Sequence, residues 1–250
     1  MSHHKIDLVI LAGGKGTRFS EYTKTVPKPM IIAKGQPLLV HIMNIYISQN
    51  ITNFIILAGY KSEIILEFFA KNCKKVIDEN RFFYKNDITV TVLDTGVETQ
   101  TGGRIKKSLE IINENYFYLT YGDGVGNIDI KKLTDFHFSN QTLATVTAVR
   151  PPARFGSLDL NEESMVESFG EKNSSKEGWI NGGFFILHKS IGELINDDMM
   201  PLEKYPLEEL ANQKELKAYM HYGYWRPVDT IRELELLEEE MDNNLFKFIL

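Results

Sequence analysis

What most constrains this chain is a repeated order: an unbroken apolar run, a glycine-rich turn, then apolar residues at helical spacing. Ile6–Leu11 is nearly all apolar and stops at Gly13-Gly14. A run without alternation reads as a strand buried on both faces, as in a parallel sheet covered by helices. Pro37 then leads Leu38, Leu39, Ile42, Met43 and Ile45-Tyr46 at helical spacing. Phe54–Ala58 is a second buried strand ended by Gly59, and Ile64, Ile65, Phe68 and Phe69 continue as an amphipathic helix. Ile88–Leu93 reads as a strand. Gly102-Gly103 open a helix running through Leu109 and Ile112, and Tyr116–Tyr121 is a strand ending at Gly122-Asp123-Gly124. The alternation predicts an α/β fold with a doubly wound, mainly parallel sheet and helices on both faces. In such sheets ligands sit beyond the carboxyl ends of the strands, where these turns fall.

Ala144–Val149 still belongs to this sheet, but after Pro151-Pro152 the texture changes to shorter pieces: Ser157–Leu160, Met165–Phe169 and Gly182–Leu187. These read as a small β-rich lid or substrate lobe, followed by helices at Leu207–Gln213 and Thr230–Met241. With no internal repeat and no long linker, residues 1–250 form a single domain. Its first part is 1–150 and its second lobe with the C-terminal helices is 151–250, across a soft boundary.

Composition excludes several classes. The chain has 250 residues, a formal charge of −6 and a single cysteine, Cys73. It lacks any apolar run of about 18 residues, so no membrane span is expected. Asp7 interrupts the first apolar stretch, which argues against a secretory leader. One cysteine excludes a disulfide framework and a multi-cysteine metal site, and suits a reducing, cytoplasmic setting. The acidic balance argues against a general nucleic-acid binder, while anionic small molecules remain open because they depend on local charge.

The strongest chemical signal is Leu11-Ala12-Gly13-Gly14-Lys15-Gly16-Thr17-Arg18, followed by Pro27-Lys28-Pro29. Three glycines after a buried strand let backbone amides approach a phosphate unblocked. No Gly-Lys-Ser/Thr ends the loop, so it is not a Walker A loop. Phe19 stands where a dinucleotide fingerprint needs its third glycine. Arg18 can grip phosphate oxygens bidentately, and Lys28 offers a point charge on a stiffened segment. Asp123, at a strand end between glycines, can reach a bound Mg²⁺ that also holds phosphate oxygens. Asp229 can complete that oxygen-rich site, or it can simply cap the helix beginning near Thr230. Asp94-Thr95-Gly96 and Thr101-Gly102-Gly103-Arg104 form a further signal. Backbone groups there can pair with a base edge and Arg104 can donate to a pyrimidine carbonyl; an ordinary helix start with an exposed Arg is the alternative. In the later lobe Arg154, Gly156, Glu171, Lys172 and Asn181 are scattered polar features. Of these, Glu171 and Asn181 suit hydroxyls and Lys172 suits a second phosphate, yet each equally suits a surface turn. His41 reads as a packed residue and Cys73, with no Cys or His partnership in view, as structural, and the acidic stretch Glu233–Asp242 as a solvated helix face.

Taken together these motifs resemble the sugar-phosphate nucleotidyltransferases, and among them the glucose-1-phosphate cytidylyltransferases. The likeness runs from the glycine loop and Lys28-Pro29-Met30 through His41-Ile42-Met43, Gly59-Tyr60-Lys61 and Asp94-Thr95-Gly96. It continues in Thr101-Gly102-Gly103-Arg104, Thr120-Tyr121-Gly122-Asp123-Gly124-Val125, Arg154-Phe155-Gly156, Ile180-Asn181-Gly182-Gly183-Phe184-Phe185 and Asp229-Thr230. The resemblance implies a Rossmann-like nucleotidyltransferase fold and the reaction CTP + sugar 1-phosphate → CDP-sugar + diphosphate, with glucose 1-phosphate as the acceptor and surface-polysaccharide synthesis as its setting. It implies that 1–150 is the nucleotide-binding part and 151–250 the sugar-phosphate-binding lobe, and that Leu11 to Arg18 and Lys28 take the triphosphate, with Arg18 and Lys28 acting in catalysis. Thr101, Gly102 and Arg104 would contact the cytosine, Asp123 and Asp229 would hold Mg²⁺, and Arg154, Gly156, Glu171, Lys172 and Asn181 would take the sugar phosphate. Two departures stand out. Lys71–Asp87 is shorter than the family's usual stretch, which leaves a homo-oligomer open, and Glu171-Lys172-Asn173 replaces Glu-Lys-Pro. The alternatives are a same-fold enzyme using UTP, dTTP or another phosphorylated acceptor, and a catalytically silent nucleotide-binding subunit.

Overall fold

Leu8–Leu11 (β1) is buried at all four positions and pairs in parallel with a strand on either side, as a doubly covered central strand must. The computed structural model describes residues 6–19, 23–85, 87–151, 157–160, 165–170 and 178–242. The strands are β1, β2 (Ile32–Ala33), β3 (Gln36–Pro37), β4 (Asn53–Ala58), β5 (Lys75–Asp78), β6 (Arg81–Phe83), β7 (Thr89–Asp94) and β8 (Tyr116–Tyr121). After them come β9 (Gly124–Gly126), β10 (Ala144–Val149), β11 (Ser157–Leu160), β12 (Val166–Gly170), β13 (Ile180–His188), β14 (Leu216–Met220) and β15 (Trp225–Pro227). The helices are α1 (Leu38–Ile47), α2 (Ser62–Asn72), α3 (Thr101–Ser108), α4 (Ile130–Asn140), α5 (Tyr205–Asn212) and α6 (Ile231–Asp242).

Nine strands form one mixed sheet in the order β14-β10-β13-β8-β1-β4-β7-β6-β5. Its centre, β8-β1-β4-β7, is wholly parallel. From β1 the chain moves outward through β4 to β7, then returns to the other side of β1 as β8. The order therefore reverses between β1 and β8, and the crevice beyond their carboxyl ends is where such a sheet binds ligands. Side chains alternate along β1 into two cores. Leu8 and Ile10 pack with α1, α2, α4 and α6, whereas Val9 and Leu11 pack with Ile105 of α3 and Leu210 of α5. The expected helices on both faces are thus present.

Some expectations shift. The helix from Thr101 ends at Ser108 rather than continuing through Ile112. Among the three later strand-like pieces, β11 and β12 pair with each other and, among the described residues, with no other strand. β13, however, inserts into the main sheet between β10 and β8, antiparallel to both. Its core, Phe184–Leu187, is a continuous buried run like β1, which is why it belongs at the centre. The segment after α2 is an antiparallel hairpin, β5-β6, that extends the sheet beyond β7. Asp7 does not weaken β1. It is buried and accepts hydrogen bonds from Asn53 Nδ2 (2.7 Å) and the Asn113 backbone N–H (2.8 Å), tying the entrances of β4 and β8 together.

Candidate active site

A cavity of about 470 Å³ opens at the β1/β8 switch point, within the range of small-molecule sites. Leu11, Ala12, Gly13, Gly14, Lys15, Gly16, Thr17, Lys28, Thr101, Arg104, Asp123 and Asp229 all line it. The lining also includes Phe19, Val97–Gln100 and Tyr121, which the motifs alone do not single out as contacts. The backbone of Arg18 lies in the short 3-10 turn Thr17–Phe19; its side chain falls outside the described residues, as do Arg154, Gly156, Glu171 and Lys172 entirely.

The glycine loop is shaped by its surroundings. Gly16 has φ +59°, the left-handed region, and its carbonyl accepts from the Phe19 N–H (2.9 Å) and the Thr23 hydroxyl (3.2 Å). A Cβ on Gly13 would overlap the Arg104 guanidinium, whereas one on Gly14 would meet nothing within 4 Å. Gly14 therefore marks the open part of the loop, facing the cavity.

Lys28 begins a 3-10 turn that Pro27 and Pro29 stiffen. Its ammonium lies between two carboxylates, donating to Asp123 Oδ2 (2.7 Å) and Asp229 Oδ1 (2.6 Å). Strand pairing brings the two acids together. β9 pairs antiparallel with β15, opposing Gly124 to Pro227, and the Val228 N–H donates to the Asp123 carbonyl (2.9 Å). The Asp229 side chain is thus directed to Lys28 rather than to a helix cap. The cap is Thr230, whose Oγ1 accepts from the Glu233 N–H (3.3 Å), while the Glu233 carboxylate accepts from the Asp229 N–H (2.8 Å). Lys28 is only 11% exposed. Burial works against its charge, but Asp123 and Asp229 together outweigh that and hold its pKa above the usual lysine value.

Arg104 is not an exposed helix-start residue. It is buried, with its guanidinium under the glycine loop. It donates to the Ala58 carbonyl (2.9 Å), the Gly13 carbonyl (3.0 Å) and the Val97 carbonyl (3.3 Å), and also to Thr95 Oγ1. Burial lowers its pKa against the opposing pull of Asp94, yet guanidinium remains charged at neutral pH. It therefore braces the ends of β1, β4 and β7 against one another. Gly102 does not line the cavity: its N–H donates to the Met200 carbonyl (3.0 Å), and its missing side chain lets that backbone approach. Thr101 Oγ1 donates to Glu203 Oε2 (2.6 Å) and accepts from the Leu202 N–H (2.8 Å). Asn181 stands beside the cavity, its Nδ2 donating to the Tyr121 hydroxyl (3.2 Å). Glu203 carries no local motif, and only the folding of the 200–204 turn against β8 reveals it. As expected, His41 is packed, hydrogen-bonded to the Ala33 carbonyl (2.8 Å).

This chain is 43% identical to the glucose-1-phosphate cytidylyltransferase of Salmonella typhi, over 92% of this chain and 93% of that protein. It is 33% identical to the D-glycero-alpha-D-manno-heptose 1-phosphate guanylyltransferase of Campylobacter jejuni, over 84% and 87% of the two chains. The crystal structure of HddC from Yersinia pseudotuberculosis complexed with GMP-PN superposes with a TM-score of 0.71, at 28% identity, covering 94% of this chain and 99% of that one. The family model described as Nucleotidyl transferase matches residues 8–240. That span takes in every element that builds the cavity, from β1 through β8 to the helix behind Asp229, and the chain belongs to the nucleotidyl transferase family.

Proposed function

We propose that this protein transfers a cytidylyl group from CTP to a sugar 1-phosphate, glucose 1-phosphate first among them, releasing diphosphate. The observation that carries the reading is Lys28 held between Asp123 and Asp229 at the mouth of the glycine loop. This is a cationic and anionic cluster fitted to a triphosphate and its counter-cation. The 43% identity to a glucose-1-phosphate cytidylyltransferase supports the choice of CTP and sugar phosphate.

In this reading a sugar-phosphate oxygen attacks the α-phosphorus in line and diphosphate leaves. The nucleophile is already an anion, so no side chain need act as a general base. Catalysis comes from positioning and charge stabilisation. The loop from Leu11 to Arg18 receives the triphosphate, and Lys28 and Arg18 neutralise charge around phosphorus. Among the described residues no group of three or more His, Cys, Asp or Glu gathers for a metal. Asp123 and Asp229, however, converge on one cation, the Lys28 ammonium, and hard oxygen donors suit Mg²⁺ completed by phosphate and water. When bound by these two residues, Mg²⁺ would supply charge neutralisation and orientation of the phosphates. Arg104 donates to protein carbonyls at the cavity, beside the 97–101 wall that faces the same space.

The test is a matrix of CTP, UTP, dTTP and GTP against several sugar 1-phosphates, read as diphosphate release with Mg²⁺. CTP with glucose 1-phosphate is expected to give the largest kcat/KM, and Lys28→Ala to lower it by orders of magnitude. Preference for another nucleotide would move the assignment within the family, and no release in any combination would leave a silent nucleotide-binding subunit.

A further inference from the structure

Glu203 belongs to no motif and lies in the 200–204 turn ahead of α5, outside the cavity wall. Its carboxylate accepts two hydroxyl protons, from Tyr121 at 2.7 Å and from Thr101 at 2.6 Å. Those two hydroxyls come from different sides of the site. Thr101 opens α3 on the wall facing the glycine loop, and Tyr121 ends β8, two residues before Asp123.

The network has a single direction. Tyr121 gives its proton to Glu203, so its oxygen can only accept, and it accepts from Asn181 Nδ2 at 3.2 Å. Asn181 Oδ1 in turn accepts from the Gly183 N–H at 2.8 Å, which fixes which end of the amide faces Tyr121. Gly183 has φ +80°, and a Cβ there would overlap the Tyr121 ring, so β13 and Tyr121 are fitted closely. Burial and the Glu203 charge both keep the Tyr121 hydroxyl protonated.

The geometry points to Glu203 as a positioning residue: it orients Tyr121 and Thr101, and through Tyr121 the Asn181 amide on the acceptor side of the cavity. Asn181 then presents its remaining N–H as a donor to a substrate oxygen. This assignment rests on the reading of the cavity as a nucleotidyltransfer site that takes a sugar 1-phosphate beside Asn181.

The experiment compares Glu203→Ala, Glu203→Gln and Tyr121→Phe with the unsubstituted protein. Steady-state kinetics come first. Glu203→Ala is expected to raise KM for the sugar 1-phosphate about tenfold or more, with kcat changed less than threefold, because misorientation of a binding group weakens binding before it slows chemistry. Glu203→Gln is expected to recover most of the loss, since its amide oxygen can accept from Tyr121 and its NH₂ can donate to Thr101 Oγ1. Unchanged KM in a folded Glu203→Ala protein, or a Gln variant as impaired as Ala, overturns the assignment. A second readout needs no turnover: urea unfolding of Glu203→Ala, Tyr121→Phe and the double variant. The double variant is expected to lose less stability than the two single losses combined. Strict additivity overturns the network whatever the substrate is. Non-additivity with no diphosphate release from any nucleotide overturns the functional reading and, with it, the acceptor-side role.

Discussion

Gly13 and Gly14 are chemically identical neighbours with different tasks. Gly13 has the Arg104 guanidinium where a Cβ would go, and its carbonyl accepts from Arg104 Nη2 at 3.0 Å. Gly14 has open space in the same place. Overpacking a closed site costs about 1–3 kcal/mol. Gly13→Ala is therefore expected to lose stability on that scale in urea unfolding, and Gly14→Ala to unfold like the unsubstituted protein while binding nucleotide more weakly. Equal stability of the two variants would refute the brace. Arg104 itself had two sequence readings, base contact or exposed helix start. Neither foresees a cation buried beneath the loop, because burial of a charge depends on acceptors from Ala58, Gly13 and Val97 that are far apart in the chain.

At the scale of elements, α6 corrects a charge argument. Its six acids between Glu233 and Asp242 read as a solvated face. Glu240 instead accepts from Arg226 Nε (2.7 Å) and the Tyr224 hydroxyl (2.6 Å). Glu238 accepts from the Lys34 N–H (2.9 Å), and Asp242 pairs with Lys34 Nζ (2.6 Å). The acidic helix is thus fastened to β15 and to the β2-β3 turn, and Glu233, accepting from the Asp229 N–H, holds Asp229 in place. α4, which no motif singles out, contributes a titratable packing residue. His137 is buried against Tyr116 and Phe138, with Nδ1 2.8 Å from Thr145 Oγ1. Burial first, then the nearby His188, push its pKa down to about 4 from 6.5. A depressed histidine pKa means the unfolded chain binds the proton more readily. This group therefore stabilises the fold fully above about pH 6.5, and that stabilisation disappears as pH falls toward 4. Between pH 7 and 4.5 the melting temperature of His137→Gln should fall less than that of the unsubstituted protein. Parallel curves would refute the assignment, since carboxylates contribute equally to both.

At the scale of the molecule, the sheet brings the ends of β1 and β8 together and sets β9-β15 across them, so that the cavity is built from the same contacts as the fold. A ligand that binds only the folded state stabilises it by about 2.7 kcal/mol at 100 times its Kd. For a chain of this size that corresponds to roughly 5–10 °C in melting temperature. CTP with Mg²⁺ should produce such a shift, and Asp123→Asn should lose most of it while melting near the unsubstituted protein without ligand. A full shift in the variant would remove Asp123 from the binding site. At the far edge of the same sheet the hairpin β5-β6 buries Phe82 but leaves all four residues of β5 exposed. No helix among the described residues is long and apolar enough to cross a membrane.

What the sequence determined by itself is local: the buried strands β1, β4 and β8, the glycine turn after β1, and the helices whose apolar spacing covers the sheet. Those features are encoded in adjacent residues, through side-chain period and the conformational freedom of glycine. It also pointed to Lys28, Asp123 and Asp229, because motif and turn position mark residues at strand ends. Only the tertiary structure decided how they meet. Lys28 lies 95 residues from Asp123 and 201 from Asp229, and their contact follows from the antiparallel pairing of β9 with β15. The inward turn of Arg104, the place of β13 inside the main sheet and the double contact of Glu203 have the same origin. A buried or shared charge is stable only where acceptors from several elements converge, and convergence is a property of the packed sheet rather than of any stretch of chain.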